Sequence, residues 1–187
     1  MAKQVEVELK AKVRSLPNLQ RHLREIGARL VKRIHQVDTY YSPYRQPLGK
    51  RKGKVLRVRE ERISGQTRFE LHIPKNTYAA EELEVRVSDA SILHQILKQL
   101  KYRREFVIDK QRAVYSKGKL EIVIDKVRGL GMFIEVELMG SDSQTARKRL
   151  HATLEQLGIP KRDILFNLHY HQMALKKQGR YPNNAYF

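Results

Sequence analysis

An α+β domain of about eight mainly antiparallel strands, closed into a barrel with helices packed outside, is the fold this sequence predicts. Three observations predict it. Alternation of apolar and charged residues recurs along most of the 187 residues, and a strand with that period puts one class on each face. Only a few stretches show helical spacing, and all but the last follow a strand or strand cluster. The second half of the chain then repeats the plan of the first, which supplies enough strands for closure.

The elements follow in order. "VEVELK" places Val5, Val7 and Leu9 on one face and Glu6, Glu8 and Lys10 on the other. In "LPNLQRHLREIGARL" Leu19, Leu23, Ile26 and Leu30 recur at helical spacing, with Ser15 as N-cap, Pro17 early and Gly27 near the end. "HQVDTYYSP" reads as a short strand ended by Pro43, and "RQPLGKRKGK" as a basic loop. "VLRVREE" and "TRFELHIP" are two strands joined by "ISGQ", and "ELEVRV" is a third. "SDASILHQILKQL" is a capped helix with Ile92, Leu93, Ile96, Leu97 and Leu100 on one side. "REFVIDKQRAVY" and "KLEIVIDKV" flank the hairpin signal "SKGK", and "GMFIEVELM" follows. A helix over "SDSQTARKRLHATLEQLGIP" stops at Gly158 and Pro160, and "RDILFNLHYHQMALKK" is a shorter helical stretch. Residues 1–175 are expected to form a single domain, and residues 176–187 a loose basic tail.

Composition narrows the function classes. Lysine and arginine number 38 against 20 acidic residues, a formal charge of +18, which favours polyanionic partners: nucleic acid, an anionic surface or a phosphorylated small molecule. The absence of cysteine excludes disulfides and thiolate metal sites. No apolar run is long enough to cross a membrane and no secretory signal is visible, so a cytoplasmic protein without membrane partners is expected.

The charged strand faces are sorted by type. Glu-x-Glu occurs in "VEVELK" and again in "IEVELM" (Glu135, Glu137), Arg57 and Arg59 share a face, Lys110 and Arg112 share another, and Glu82, Glu84 and Arg86 a third. Charged faces on antiparallel sheets usually meet water, where cross-strand pairs need no function. Helices wrapped outside a closed barrel would instead cover the apolar faces and turn the charged ones inward. Carboxylates gathered inside would repel each other and lose hydration unless cations compensated them. Hard divalent ions such as Mg²⁺ or Mn²⁺ suit carboxylate oxygens, while arginine and lysine, with no protein need of their own there, suit phosphate.

These residues resemble a known family. Glu6-x-Glu8-x-Lys10, "QVDTYY", "LRVRE", "KQR" and above all "DKVRGLGMFIEVE" are similar, in order, to the CYTH superfamily of triphosphate tunnel enzymes, which includes class IV adenylyl cyclases and thiamine triphosphatases. The resemblance implies an eight-stranded antiparallel tunnel, Mg²⁺ or Mn²⁺ as cofactor and a triphosphate substrate. By position it implies Glu6, Glu8, Glu135 and Glu137 as metal ligands, with Glu84 a further acidic position. It also implies Lys10, Arg57, Arg59, Lys110 and Arg112 as phosphate-binding groups, and catalytic roles for Glu6, Glu8, Lys10 and Asp125. Gly129 and Gly131 would shape the turn before the last strand. "FELHIP" departs from the pattern, with His72 where relatives often carry lysine; Lys75 is the alternative phosphate contact. Relatives often form homodimers, which is the expectation here too.

Rival motifs carry less. "GKRKGK" has three residues between its glycines where a phosphate-binding P-loop needs four, and Val55 where it needs Ser or Thr; near the tunnel entrance is the place the resemblance gives it. "HYH" (His169, His171) lacks partner spacing for a metal, so a surface or helix-packing role is expected. No G-x-S-x-G elbow and no RNA-binding signature occurs. The expected activity is cyclisation of ATP to cyclic AMP and pyrophosphate. Hydrolysis of thiamine triphosphate, inorganic triphosphate or nucleoside triphosphates is the first alternative, and a non-catalytic polyphosphate- or RNA-binding module the second.

Overall fold

The computed structural model describes residues 4–43, 55–62, 64–74, 77–139, 143–166 and 168–179, with Gln4, Val5, Glu6 and Pro74 described by their backbone. Lys75 and the lysine-rich loop "GKRKGK" lie outside the described residues, as do residues 180–187 of the expected tail. The strands are β1 (Gln4–Lys12), β2 (Arg29–Pro43), β3 (Val55–Glu61), β4 (Thr67–Pro74), β5 (Ala79–Val87), β6 (Tyr102–Lys117), β7 (Leu120–Val127), β8 (Gly131–Met139) and a two-residue β9 (Ile164–Leu165). Helices α1 (Leu16–Glu25), α2 (Ala90–Gln99), α3 (Gln144–Gln156) and α4 (Tyr170–Lys177) complete the chain.

Eight antiparallel strands close on themselves in the order β1-β5-β4-β3-β2-β6-β7-β8 and back to β1. Closure pairs both edges of the sheet, as a barrel does. β1 completes the ring by pairing its first half with β5 and nearly its whole length with β8, and β9 takes the rest of its free edge at Lys10 and Ala11. Gly129 (φ +75) and Gly131 (φ +119) form the turn into β8, where a side chain would be strained.

The apolar strand faces point outward under helices. Leu19 and Leu23 of α1 and Leu150 and Leu154 of α3 cover Val7, Leu9, Ile122, Ile134 and Val136, all at most 2% exposed. Each such burial stabilises the fold by about 1.5–3 kcal/mol. The opposite wall is thinly covered: α2 sets Leu97 against Tyr41 and Val58, but Ile92, Ile96 and Leu100 are exposed. The one-sided apolar face expected for α2 is therefore only partly used. Three further expectations change. β2 has 15 residues, not a short run, because it continues into β6 partners as far back as Arg29. α1 ends at Glu25 and Gly27 adopts φ +73, so Leu30 belongs to β2 and is exposed. The stretch "RDILFNLHYHQMALKK" is not one helix: a single 3-10 turn (Lys161–Asp163) and β9 precede α4.

Inside the barrel the two ends differ. Tyr40, Val55, Phe106, Ile108, Val127 and Phe133 fill one end with an apolar cluster, and Tyr170 and Leu175 of α4 dock into it. The middle and the other end carry charge.

Candidate active site: a charged tunnel closed by a helix

A cavity of about 190 Å³ runs through the charged part of the barrel. Among the described residues, seven cationic side chains (Lys10, Lys32, Arg57, Arg59, Arg68, Lys110, Arg112) and seven glutamates (Glu8, Glu61, Glu82, Glu84, Glu121, Glu135, Glu137) line it. Asp38, Glu70 and Asp125 stand behind them with no exposed surface. The described lining of the tunnel is thus balanced or slightly acidic, although the whole chain carries +18. Strand alternation delivers this arrangement directly, since every second residue of β1, β3, β6 and β8 turns inward.

The cations on β3 and β6 have protein partners, contrary to the expectation that they would have none. Arg59 donates two hydrogen bonds to Asp38 at 2.8 and 3.0 Å. Arg57 donates to Glu70, and Lys110 lies 3.2 Å from Asp38. Arg112 donates to both oxygens of Asp125, at 2.8 and 2.7 Å, and to Glu135 at 2.7 Å. An unpaired buried cation would be far more costly than these pairs, which accounts for the acids behind them. Burial alone would raise Asp38, but Arg59, Lys110 and Arg57 outweigh it and hold its carboxyl well below the usual carboxylate range.

On β1 and β8 the acids gather facing the cavity. Register pairs Glu8 with Glu137 and Lys10 with Glu135. One carboxylate oxygen from each of Glu8, Glu135 and Glu137 lies within 4.8 Å of the others. Three hard oxygen donors at that spacing fit a divalent ion such as Mg²⁺ or Mn²⁺. Glu6 belongs to the same strand, opposite Met139 and Ala80, with its side chain outside the described residues. Glu84 sits elsewhere, 3.3 Å from Arg68 on the far wall.

Two lysines show how position tunes charge. Burial would lower both. Glu135, at 2.8 Å, and Glu8 outweigh it for Lys10 and raise that pKa. For Lys110 burial and the neighbouring Arg112 prevail over Asp38 and Asp125, and the pKa falls to about 8.

His72 does line the tunnel. Its Nδ1 meets Glu82 at 3.1 Å, and its Nε2 is buried without a hydrogen-bond partner among the described residues. Despite burial, the hydrogen bond from His72 and the charge of Arg57 bring Glu82 down to about 2. The "HYH" segment is no surface feature: His169, Tyr170 and His171 all line the cavity. Tyr170 donates a hydrogen bond to Asp125 at 2.9 Å. Burial, His72 and Lys10 lower His171 to about 3.

Residues 4–165 match the family model described as the CYTH domain. The chain belongs to the CYTH domain family. A candidate adenylate cyclase of Methanocaldococcus jannaschii is 30% identical over 165 residues, which span 86% of this chain and 94% of that protein. Among solved structures, the PH1819 protein of Pyrococcus horikoshii superimposes with a TM-score of 0.80 at 25% identity, over 92% of this chain and 99% of that one. A Hippeastrum protein, described as a candidate adenylyl cyclase with a dominant triphosphatase activity, shares the fold with a TM-score of 0.65 at 16% identity, over 98% and 100% of the two chains.

Several site residues of this CYTH chain escaped the sequence reading. Asp38 had a signal, because alternation in "HQVDTYY" puts it in step with Gln36 and Tyr40. Tyr170 had none, and "HYH" points on its own only to a surface or helix-packing role, for α4 spans two turns and follows an irregular stretch beyond the matched residues.

Proposed function

We propose that this CYTH protein is a divalent-metal-dependent enzyme acting on a triphosphate, with ATP cyclisation to cyclic AMP and pyrophosphate as its reaction. One observation carries the reading: a three-carboxylate cluster and a bank of arginines and lysines share one cavity. The likeness to the Methanocaldococcus jannaschii protein supports cyclisation over its rivals.

A divalent ion held by Glu8, Glu135 and Glu137, with Glu6 on the same strand, supplies Lewis-acid neutralisation of phosphate charge when bound. The chain's own residues do the rest. A bidentate carboxylate uses two of the five N–H donors of a guanidinium. Arg57, Arg59 and Arg112, braced from behind by Glu70, Asp38 and Asp125, therefore keep donors for phosphate oxygens. Lys10 and Lys110 add point charges, and Lys110 becomes a better cation when an anion arrives. Bracing holds these groups in place before the substrate enters, so catalysis rests on positioning and electrostatics rather than on a covalent nucleophile. In cyclisation the ribose 3′-hydroxyl attacks the α-phosphorus and pyrophosphate leaves. In the alternative, water attacks the γ-phosphorus and orthophosphate leaves; the Hippeastrum protein of the same fold supports that second reading.

Phosphorus NMR of products from ATP with Mg²⁺ or Mn²⁺ tests the choice. Cyclic nucleotide with pyrophosphate is expected, and Glu8→Ala and Glu135→Ala abolish it. Orthophosphate with ADP would move the protein to the triphosphatases. No turnover of ATP, thiamine triphosphate or inorganic triphosphate would leave a binding module as the better account.

A further inference from the structure

Strand β2 carries a polar group that the pairing of charges in the tunnel leaves over. Its inward residues Ile34, Gln36 and Asp38 follow one another about 7 Å apart along the strand. Asp38 braces Arg59 and Lys110, two of the cations assigned above to phosphate. Gln36 is one step further on, in register with Lys110 on one side and Glu61 on the other. It lines the cavity and is 3% exposed.

The surroundings of Gln36 fix its amide. Nε2 donates to Glu61 at 3.3 Å, and Glu61 also accepts from Arg68 at 2.8 Å and from Ser64 at 3.1 Å. A carboxylate paired with arginine offers only acceptors, so the NH₂ end of the amide is the end that meets it. Oε1 is left as a buried acceptor, and no donor among the described residues reaches it. Such an atom is costly unless a ligand or a water supplies the donor. Phosphate cannot, because its ionised oxygens also only accept. A water on a metal held by Glu8, Glu135 and Glu137 would have to cross the bore, since β1 lies four steps from β2 either way round the ring. Past Gln36 the lining turns apolar, with Ile34 and Val114 packed on Val123. A group that fits this stretch donates a hydrogen bond next to the phosphates and is apolar further on. A ribose followed by a nucleobase has that order of parts.

We propose that Gln36 is a specificity-determining residue whose Oε1 accepts a hydrogen bond from a ribose hydroxyl, so that the preferred ligand is a ribonucleoside triphosphate. The inference rests on the triphosphate reading above and narrows its substrate class. Inorganic triphosphate and thiamine triphosphate have no sugar hydroxyl and leave the acceptor unmet.

The test compares equilibrium binding, with Mg²⁺ present, of triphosphates whose bridging oxygens are replaced by methylene groups. One is inorganic, and the others carry adenosine, 2′-deoxyadenosine or 3′-deoxyadenosine. The wild-type protein is expected to lose about tenfold or more in affinity when the hydroxyl that Gln36 meets is removed, as when a buried acceptor is left unpaired. The two deoxy ligands tell which hydroxyl it is. Gln36→Met, close in size but without the acceptor, and Gln36→Leu are each expected to bring the adenosine ligand to within about threefold of that deoxy ligand. Both leave binding of the inorganic ligand unchanged, which a merely structural role would not. Equal wild-type binding of the three nucleoside ligands overturns the proposal while the triphosphate reading stands, and that comparison needs no variant to fold. Discrimination that survives both substitutions also overturns it. So does an equal loss of affinity for the inorganic and adenosine ligands in the variants, which would make Gln36 a support for the cations. Failure of the wild-type protein to bind any of the four overturns the triphosphate reading itself.

Discussion

The wall built by β1 and β8 and the wall built by β3 and β6 use the same residue types in opposite ways. On β3 and β6 each inward cation has a carboxylate behind it, and those carboxylates, Asp38, Glu70 and Asp125, have no exposed surface. On β1 and β8 the carboxylates of Glu8 and Glu137 stand forward in the cavity, and Lys10 neutralises only part of the cluster they form with Glu135. An acid behind a cation braces it, whereas acids gathered in front of one another call for a metal. A simple division in which acids hold metal and bases hold phosphate misses this, because three of the tunnel's acids hold the bases.

The comparison can be broken most forcefully on the braced wall. Asp38→Ala leaves Arg59 and Lys110 buried with one partner fewer, and a loss of about 3–5 kcal/mol in unfolding free energy is expected from denaturant titration. A loss under about 1 kcal/mol would mean that the acid is dispensable as a brace.

The forward wall should respond in the other way. Glu8 is part-exposed, with 25% of its side chain accessible, so Glu8→Gln is expected to keep the melting temperature nearly unchanged. Turnover should fall about 10²–10³-fold, as when one charge-stabilising group is removed from a preorganised site. A large fall in melting temperature with activity retained would assign Glu8 to the fold instead.

Lys110 sharpens the contrast, because burial and Arg112 disfavour its charge. Lys110→Met is expected to be as stable as the wild type at pH 7 or more so, while the affinity for inorganic triphosphate drops about tenfold or more. Calorimetry of binding and unfolding on one sample checks both halves.

The smallest expected effect is in pH. Unfolded Lys110 titrates near 10.5 and the folded side chain near 8. Between these values the unfolded chain binds more protons, so the contribution of Lys110 to stability rises with pH through that window. Below pH 8 the charged lysine opposes folding in full. The stability of the wild type relative to Lys110→Met should therefore increase from pH 8 to pH 10 by up to about 2 kcal/mol. A difference independent of pH would place Lys110 in a more hydrated setting than its 2% exposure indicates.

Much of the barrel was legible because period-2 alternation is a local property, and "LRVRE", "KQR" and "IEVELM" each declare which residues share a face. Closure was legible from the count of strands together with helices that needed apolar surface to cover. The pairings that make the site were not. Asp38 meets Arg59 across β2 and β3, and Asp125 meets Tyr170 across 45 residues. No spacing rule encodes contacts at such separations. α4 was least legible, since two turns offer little periodicity and its stability comes from docking Tyr170 and Leu175 into the barrel end. α2 misled in the opposite sense: its apolar residues are at helical spacing, but Ile92, Ile96 and Leu100 lie away from the wall that Leu97 covers.

The central claim is that the forward acids and the braced cations bind a metal and a triphosphate together. It is tested most directly by titrating the non-hydrolysable inorganic triphosphate into the protein with and without Mg²⁺, for the wild type and for Glu8→Gln. The account predicts that Mg²⁺ tightens wild-type binding by about a hundredfold and that Glu8→Gln loses most of that gain. Equal affinity with and without Mg²⁺ in the wild type would contradict it.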